Sequence, residues 1–153
     1  MKITGQKNRF NDEVRQFWEY NKPHCTVCGL NQPDAIHHIN CPSVSWFIQG
    51  DFVASIFNSA PIHNQTHPNS WSLKPKADEY HKNRLGIEKP CHIGNEAWLY
   101  TQENAKLLVE RIARTLELCQ YEPNDLDIAF IKSYNFMYER GTITDTVREI
   151  LDS

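Results

Sequence analysis

The sequence has no apolar run long enough to cross a membrane, since no stretch of about eighteen apolar residues occurs in it. Its first residues, MKITGQKNRFNDEV, include basic side chains but lack the apolar segment of a secretory signal peptide. These two absences predict a cytoplasmic protein without membrane contacts. The chain also lacks repeats, low-complexity segments and linkers rich in glycine or serine, so its 153 residues are expected to form one domain.

The chain lacks the basic excess expected of a protein that binds DNA mainly through charge. Its formal net charge is −3, and the charges are unevenly distributed. Residues 1–90 carry 10 Lys and Arg against 8 Asp and Glu, whereas residues 91–153 carry 6 against 11. Any nucleic-acid contact is therefore expected to be local and to lie in the first segment. The acidic second segment is expected to add core, or to contact a partner protein or a second copy of the chain.

The sequence also lacks the even set of cysteines that a complete disulfide framework requires, because it contains five. Two of them form Cys25-Thr26-Val27-Cys28. In a reducing compartment this spacing indicates metal binding or thiol redox chemistry. The redox interpretation is the weaker one, because the strand–turn–helix context of a redox pair is missing.

Helical patterns dominate the second half of the chain. Residues 101–119 place their apolar side chains on one stripe, with Thr101 as the cap. Residues 24–40 are typical of a cysteine knuckle followed by a strand, and residues 46–58 could form a hairpin that turns at Gly50-Asp51. Further helices are expected over residues 11–21, 74–86, around 125–140 and over 144–152. These patterns together predict an α+β fold.

The peptide DAIHHINC, residues 34–41, places His37 and His38 side by side on the predicted strand. Adjacent strand residues point to opposite faces, so the two rings cannot bind one ion without distortion. One ring could bind a metal while the other, with a usual pKa of about 6.5, accepts a proton from water. The structural alternative is that His37 is a hydrogen-bonded core histidine.

Residues 25–67 resemble the motif of HNH endonucleases, the ββα-metal class. The matching steps are Cys25-x-x-Cys28, the pair His37-His38, Asn58 and the run APIHNQTH at 60–67. The His-His-Ile step is also similar to that of phage-type recombination nucleases. The match covers under a third of the chain. It implies a zinc-stapled ββα-metal core over about 24–90, with a helical extension over about 95–153.

The resemblance implies a separate role for each polar side chain of the motif. His38 would be the general base, and Asn58 would hold the base and its loop in place, although an Asn before Ser-Ala-Pro could equally be a turn residue. The catalytic ion would be Mg, Mn, Ni or Zn. Its implied ligands are His37 and His67, with His81 as a candidate replacement for a further family ligand. The implied ligands of a structural zinc are Cys25, Cys28 and His63.

The sequence departs from the family pattern at the fourth zinc ligand, because Thr66 occupies that position. His24, Cys41 or the Cys91-His92 pair could supply the missing ligand. Alternatively, His63 and His67 could complete a Cys2His2 site with the two knuckle cysteines, which would make the motif purely structural.

The sequence therefore predicts a metal-dependent endonuclease that acts on nucleic acid, with DNA as the expected substrate. The alternative is a non-catalytic zinc-binding module that mediates association with DNA or protein. Basic side chains that could follow a phosphate backbone, or simply be solvated, are Lys74, Lys76, Lys82 and Arg84.

Overall fold

The structure of the chain, a computed structural model, describes residues 10–40, 51–64, 79, 81–87, 90–92 and 94–153. Within these ranges it combines helices with one small two-stranded sheet, which confirms the predicted α+β class. The strands are β1 (Ala35–His38) and β2 (Ser59–Ile62). The α-helices are α1 (Asp12–Asn21), α2 (Glu96–Leu99), α3 (Gln102–Leu118), α4 (Asp125–Ser133) and α5 (Asp145–Asp152). Shorter turns are the 3-10 helices Asp51–Ala54, Ile56–Asn58 and Asn135–Met137 and the π-helix His81–Leu85.

The two strands run antiparallel, and their register places His37 opposite Ala60 and His38 opposite Ser59. All of their residues are buried, so both faces of this small sheet are covered. Trp18 on α1 donates from Nε1 to Ser59 Oγ at 2.8 Å, which attaches α1 to the face that carries His38. The sheet therefore has two buried faces, with His37 on one and His38 on the other.

The hairpin predicted for residues 46–58 is wrong over the part that the structure describes. Residues 51–54 and 56–58 form 3-10 helices, and the strand partner of β1 begins only at Ser59. The reason is Ser55, whose hydroxyl accepts from the amide of Phe57 at 3.1 Å and donates to Asp127 Oδ1 at 2.6 Å. These bonds turn the chain locally and attach it to α4.

The helices predicted over 11–21, 101–119 and 144–152 are confirmed, whereas the one expected around 125–140 ends at Ser133. Asn11 caps α1 by accepting from the amide of Val14, and Thr101 caps α3 by accepting from the amide of Asn104. The helix predicted over 74–86 is described only in part, as the π-helix that precedes Gly86. The predicted apolar stripe of α3 is buried; its members are Ala105, Leu108, Val109, Ile112 and Leu116. No helix among the described residues is long and apolar enough to cross a membrane.

Asp127 is a buried polar anchor between α4 and the turn before β2. It is 1% exposed and accepts hydrogen bonds from the hydroxyls of Ser55 and Tyr121, each at 2.6 Å, and from the amide of Asn124 at 3.0 Å. Because a buried carboxylate needs such donors, this anchor holds the segment that leads into β2.

Replacement of this carboxylate should destabilise the fold. Asp127→Asn puts an amide N–H₂ where donors converge, so we expect a loss of about 3 kcal/mol of unfolding free energy in urea titrations. Asp125→Asn is the matched control, because it removes an exposed carboxylate from the same first helical turn. Equal stability of the two variants would contradict an anchoring role for Asp127.

Candidate metal centre

Three cysteines and one histidine converge in the core. The ligand atoms of Cys25, Cys28, His63 and Cys91 all lie within 4.8 Å of one another, and all four residues are buried. A Cys3His set of this kind is a composition that structural zinc sites use. The cluster could therefore hold a structural metal such as zinc. It joins the knuckle, the end of β2 and the loop before α2.

The knuckle is built by backbone hydrogen bonds around the first two cysteines. The amide of Cys25 donates to the carbonyl of Leu30 at 2.8 Å, and the amide of Gly29 donates to the carbonyl of Cys25 at 2.9 Å. Gly29 has a φ of +78°, a conformation that glycine adopts without strain. The amide of Cys28 also points at Cys25 Sγ, 3.5 Å away. Both thiols are thereby turned to the same side.

His63 is oriented as a metal ligand by its second ring nitrogen. Its Nε2 donates to the carbonyl of Asn31 at 2.7 Å, so in the neutral ring that binds a metal Nδ1 carries the lone pair. That Nδ1 lies 3.4 Å from Cys28 Sγ and 3.8 Å from Cys91 Sγ. Tetrahedral zinc would place its nitrogen and sulfur ligand atoms about 3.6 Å apart. The observed spacing thus matches ligands arranged around one ion.

The protonation of the cluster follows from the mutual contacts of its members. Burial raises the pKa of Cys25, but hydrogen bonds with Cys28, Cys91 and His63 outweigh it and hold that pKa well below its usual value. Burial lowers the pKa of His63, whereas its contacts with Cys25 and Cys28 raise it to about 10. The same thiols raise the pKa of Cys91. Zinc needs thiolates and a neutral imidazole, so its binding must release protons.

Cys91 reaches the cluster through a short loop held against the end of β2. The amide of His92 donates to the carbonyl of His63 at 3.0 Å, and Asn95 Nδ2 closes the loop on the carbonyl of Pro90 at 2.9 Å. Of the fourth ligands that the sequence left open, the structure thus brings Cys91 into place. His24 is instead exposed, and its Nδ1 contacts the carbonyl of Gly29. Cys41 lies outside the described residues.

His92, next along the chain, approaches the first histidine of the pair. The ring centroids of His37 and His92 are 5.3 Å apart, and His37 is 1% exposed. Among the described residues His37 Nε2 has no hydrogen-bond partner. His92 Nδ1 donates to Asn64 Oδ1 at 2.9 Å, which leaves the lone pair on its Nε2. Two imidazoles therefore lie beside each other, one with its Nε2 unbonded among the described residues and the other with its lone pair on Nε2.

This pair has the spacing of two ligands on one ion. With metal–nitrogen distances of about 2.1 Å, two imidazoles bound to one ion have centroids about 5 Å apart. Burial, together with the neighbouring His92 and His38, lowers the pKa of His37 to about 3. His37 is therefore neutral at physiological pH, the form in which imidazole binds metals.

His38 lies on the other face of β1, as the strand geometry predicted. Its ring stacks on Phe10, with centroids 3.8 Å apart and an interplanar angle of 12°, and the residue is 8% exposed. His37 instead contacts His92 and Tyr100, each with a centroid distance of 5.3 Å. The two adjacent rings thus have separate neighbours.

Of the two parts of the role predicted for Asn58, holding the base and holding its loop, the side-chain hydrogen bonds of Asn58 show only the second. Its Oδ1 accepts from the amide and side chain of Asn40 at 2.8 and 3.0 Å, and its Nδ2 donates to the carbonyls of Val53 and Asn40 at 2.8 and 3.2 Å. Because Asn40 follows His38 by two residues, Asn58 holds the end of β1 instead of the imidazole. This agrees with the loop-holding part of the predicted role.

Two predicted ligands of the catalytic ion are not tested by these contacts. His67 lies outside the described residues. His81 begins the π-helix, and its side chain also lies outside the described part. The sequence suggested His92 only as a possible zinc ligand. Its position beside His37 was not predicted. Its signal in the sequence was the Cys-His step at 91–92, between a proline and a glycine.

Comparison of the chain with protein-family models, curated proteins and solved structures finds no match. The arrangement of its own side chains is therefore the basis for proposing a function.

Replacement of Cys91 tests the metal centre. Cys91→Ser removes one of four ligands, so we expect zinc affinity to fall at least about tenfold, with a matching loss of thermal stability. The measurement is zinc per chain by elemental analysis after dialysis against a graded chelator. Cys119→Ser is the matched control, because Cys119 lies outside the cluster and should leave zinc binding unchanged. Identical zinc retention in both variants would exclude Cys91 as a ligand.

Proposed function

We propose that this chain is a metal-dependent endonuclease of the HNH type, hydrolysing nucleic-acid phosphodiester bonds, with DNA as the expected substrate. In this proposal the Cys3His cluster holds zinc and staples a ββα-metal core. The observation that carries the proposal is the approach of His92 to His37, one residue from His38. In this proposal the pair holds a second ion, one residue along β1 from the candidate base. Reduced thiols in the cluster also fit the proposed cytoplasmic location.

The roles of the three histidines follow from their positions. His37 and His92 would hold a catalytic divalent ion, because both are oriented with lone pairs on neighbouring rings. His38 would accept the proton of the attacking water, because it is the imidazole next to His37 along β1 and is not a ligand of that ion. Asn58 supports this arrangement through three hydrogen bonds with Asn40, two of them to its backbone, and a fourth to the Val53 carbonyl.

The chemistry assigned to these groups is hydrolysis of a phosphodiester. When bound, the ion, in this proposal Mg, Mn, Ni or Zn, supplies charge stabilisation at the phosphate and at the leaving oxygen. His38 takes a proton from water, whose oxygen forms the new bond to phosphorus while the bond to the 3′ oxygen breaks. The Phe10 ring stacked on His38 favours the imidazolium that results, through a cation–π interaction.

A second candidate function is a non-catalytic zinc-binding module that associates with DNA or protein. The burial of the histidine pair favours it, since His37 is 1% and His38 8% exposed. A base that activates water needs contact with solvent and substrate, whereas a structural histidine does not. The two candidates differ in what they predict for cleavage.

His38→Ala distinguishes the two candidates. For a nuclease, loss of the general base should lower the nicking of supercoiled plasmid by about 10²- to 10⁴-fold. Zinc content and circular dichroism should stay unchanged, because His38 belongs to neither metal set. The assay is run with Mg²⁺, Mn²⁺, Ni²⁺ and Zn²⁺ in turn. A wild-type protein that nicks DNA with none of these ions would leave the binding module as the function.

The proposed second ion is tested apart from cleavage. His92→Ala in zinc-loaded protein should weaken Mn²⁺ binding by at least about tenfold, because one of two imidazole ligands is lost. Electron paramagnetic resonance of free Mn²⁺ during a titration measures this directly. His24→Ala is the control, since it removes an exposed imidazole that belongs to neither set. If His92→Ala binds Mn²⁺ like the wild type, the pair is not an ion site.

A further inference from the structure

A cleft of about 530 Å³ lies against the knuckle and is lined by all of its residues from Cys25 to Gly29. Its walls come from the knuckle backbone, from α3 and from the π-helix. Three arginines line it: Arg84 from the π-helix, and Arg111 and Arg114 from α3. None of the described residues that line it is an aspartate or a glutamate. In a chain of net charge −3 this cleft is a local concentration of positive charge.

Arg111 is held in place by the knuckle itself. Its Nη1 donates to the carbonyls of Thr26 and Val27, at 2.7 and 3.1 Å. These residues lie between Cys25 and Cys28, so the guanidinium is attached to the backbone of the metal centre. A guanidinium has five N–H groups, and the Nε and Nη2 donors are not used in these two bonds. Arg111 is therefore positioned before any ligand arrives.

The other two arginines complete a convergent set. Arg114 follows Arg111 by three residues on α3, so both lie on the same face of that helix. Arg84 lines the cleft from the π-helix, and both Arg84 and Arg114 are exposed to solvent. Planar guanidinium groups bind phosphate oxygens through paired hydrogen bonds. Three of them around one cleft match the chemistry of a phosphodiester backbone.

The cleft also borders β2, the strand that pairs with the histidine-bearing strand β1. Pro61 lines it and pairs in the sheet with Ile36, the neighbour of His37. The amide and hydroxyl of Thr26 both donate to the Pro61 carbonyl, at 2.8 and 3.0 Å. A nucleic-acid strand held in the cleft would therefore contact the knuckle and β2, which are connected to the histidine pair through the sheet.

We propose that this arginine cleft binds the phosphate backbone of a nucleic-acid strand. The choice of nucleic acid as ligand rests on the proposed function, but the binding itself does not depend on cleavage. The contact is sequence-independent, because guanidinium–phosphate bonds position a strand without reading its bases. The cleft also places two arginines of the acidic second segment in a nucleic-acid contact that was expected only in residues 1–90.

The test is a binding measurement on zinc-loaded, full-length protein without added divalent ions. Fluorescence anisotropy follows labelled 20-nucleotide single strands and duplexes at several salt concentrations. The variant Arg84→Gln/Arg114→Gln removes two charges and spares Arg111, which the knuckle uses. We expect its affinity to be about tenfold weaker than wild type near 50 mM salt, with the difference largely lost near 200 mM, as two fewer phosphate contacts require.

The matched control is Lys132→Gln/Arg140→Gln, which removes the same charge from exposed positions that do not line the cleft. It should bind like the wild type. Equal binding by the arginine-cleft variant and the control would overturn the proposal. So would calorimetric binding of inorganic phosphate or pyrophosphate by a protein that binds no oligonucleotide, which would identify a small anion as the ligand. Salt-sensitive binding without plasmid nicking would support the cleft while the nuclease proposal fails.

Discussion

The Cys3His cluster is the constraint on which the described part of the structure depends. Its ligands come from three separate places: the knuckle at 25–28, His63 after β2, and Cys91 before α2. The sheet beside them has only two strands of four residues, too little for independent stability. A zinc bound by these ligands would close long loops and add its binding free energy to that of folding.

The same constraint sets the position of the candidate active site. His92 follows Cys91 directly. The contacts that keep Cys91 in the cluster therefore also keep the His92 ring near His37. Its hydrogen bonds to the His63 carbonyl and to Asn64 remove the remaining freedom of backbone and ring. Arg111 attaches α3 to the outer side of the same knuckle. The Cys3His cluster, the histidine pair and the arginine cleft are thus connected through these hydrogen bonds and the Cys91-His92 step.

The two-stranded sheet separates the roles of adjacent histidines. The pleat sends neighbouring side chains to opposite faces, and here each face is covered by different groups, Phe10 on one and His92 with Tyr100 on the other. Each imidazole thereby has its own electrostatic environment. The burial that keeps His37 neutral also limits the approach of solvent. A nuclease requires solvent and substrate to reach the histidine pair, whereas a structural module does not.

Features that depend on nearby residues were predictable from the sequence. The caps at Asn11 and Thr101, the stripe of α3, the knuckle and the opposite facing of His37 and His38 each depend on residues a few positions apart. Other features needed the tertiary structure. Ser55 forms turns instead of a hairpin because Asp127, far along the chain, accepts its hydroxyl. Likewise, only folding brings Cys91 to the cluster, His92 to His37 and Arg111 to the knuckle, because local propensity contains no information on which distant segments pack together.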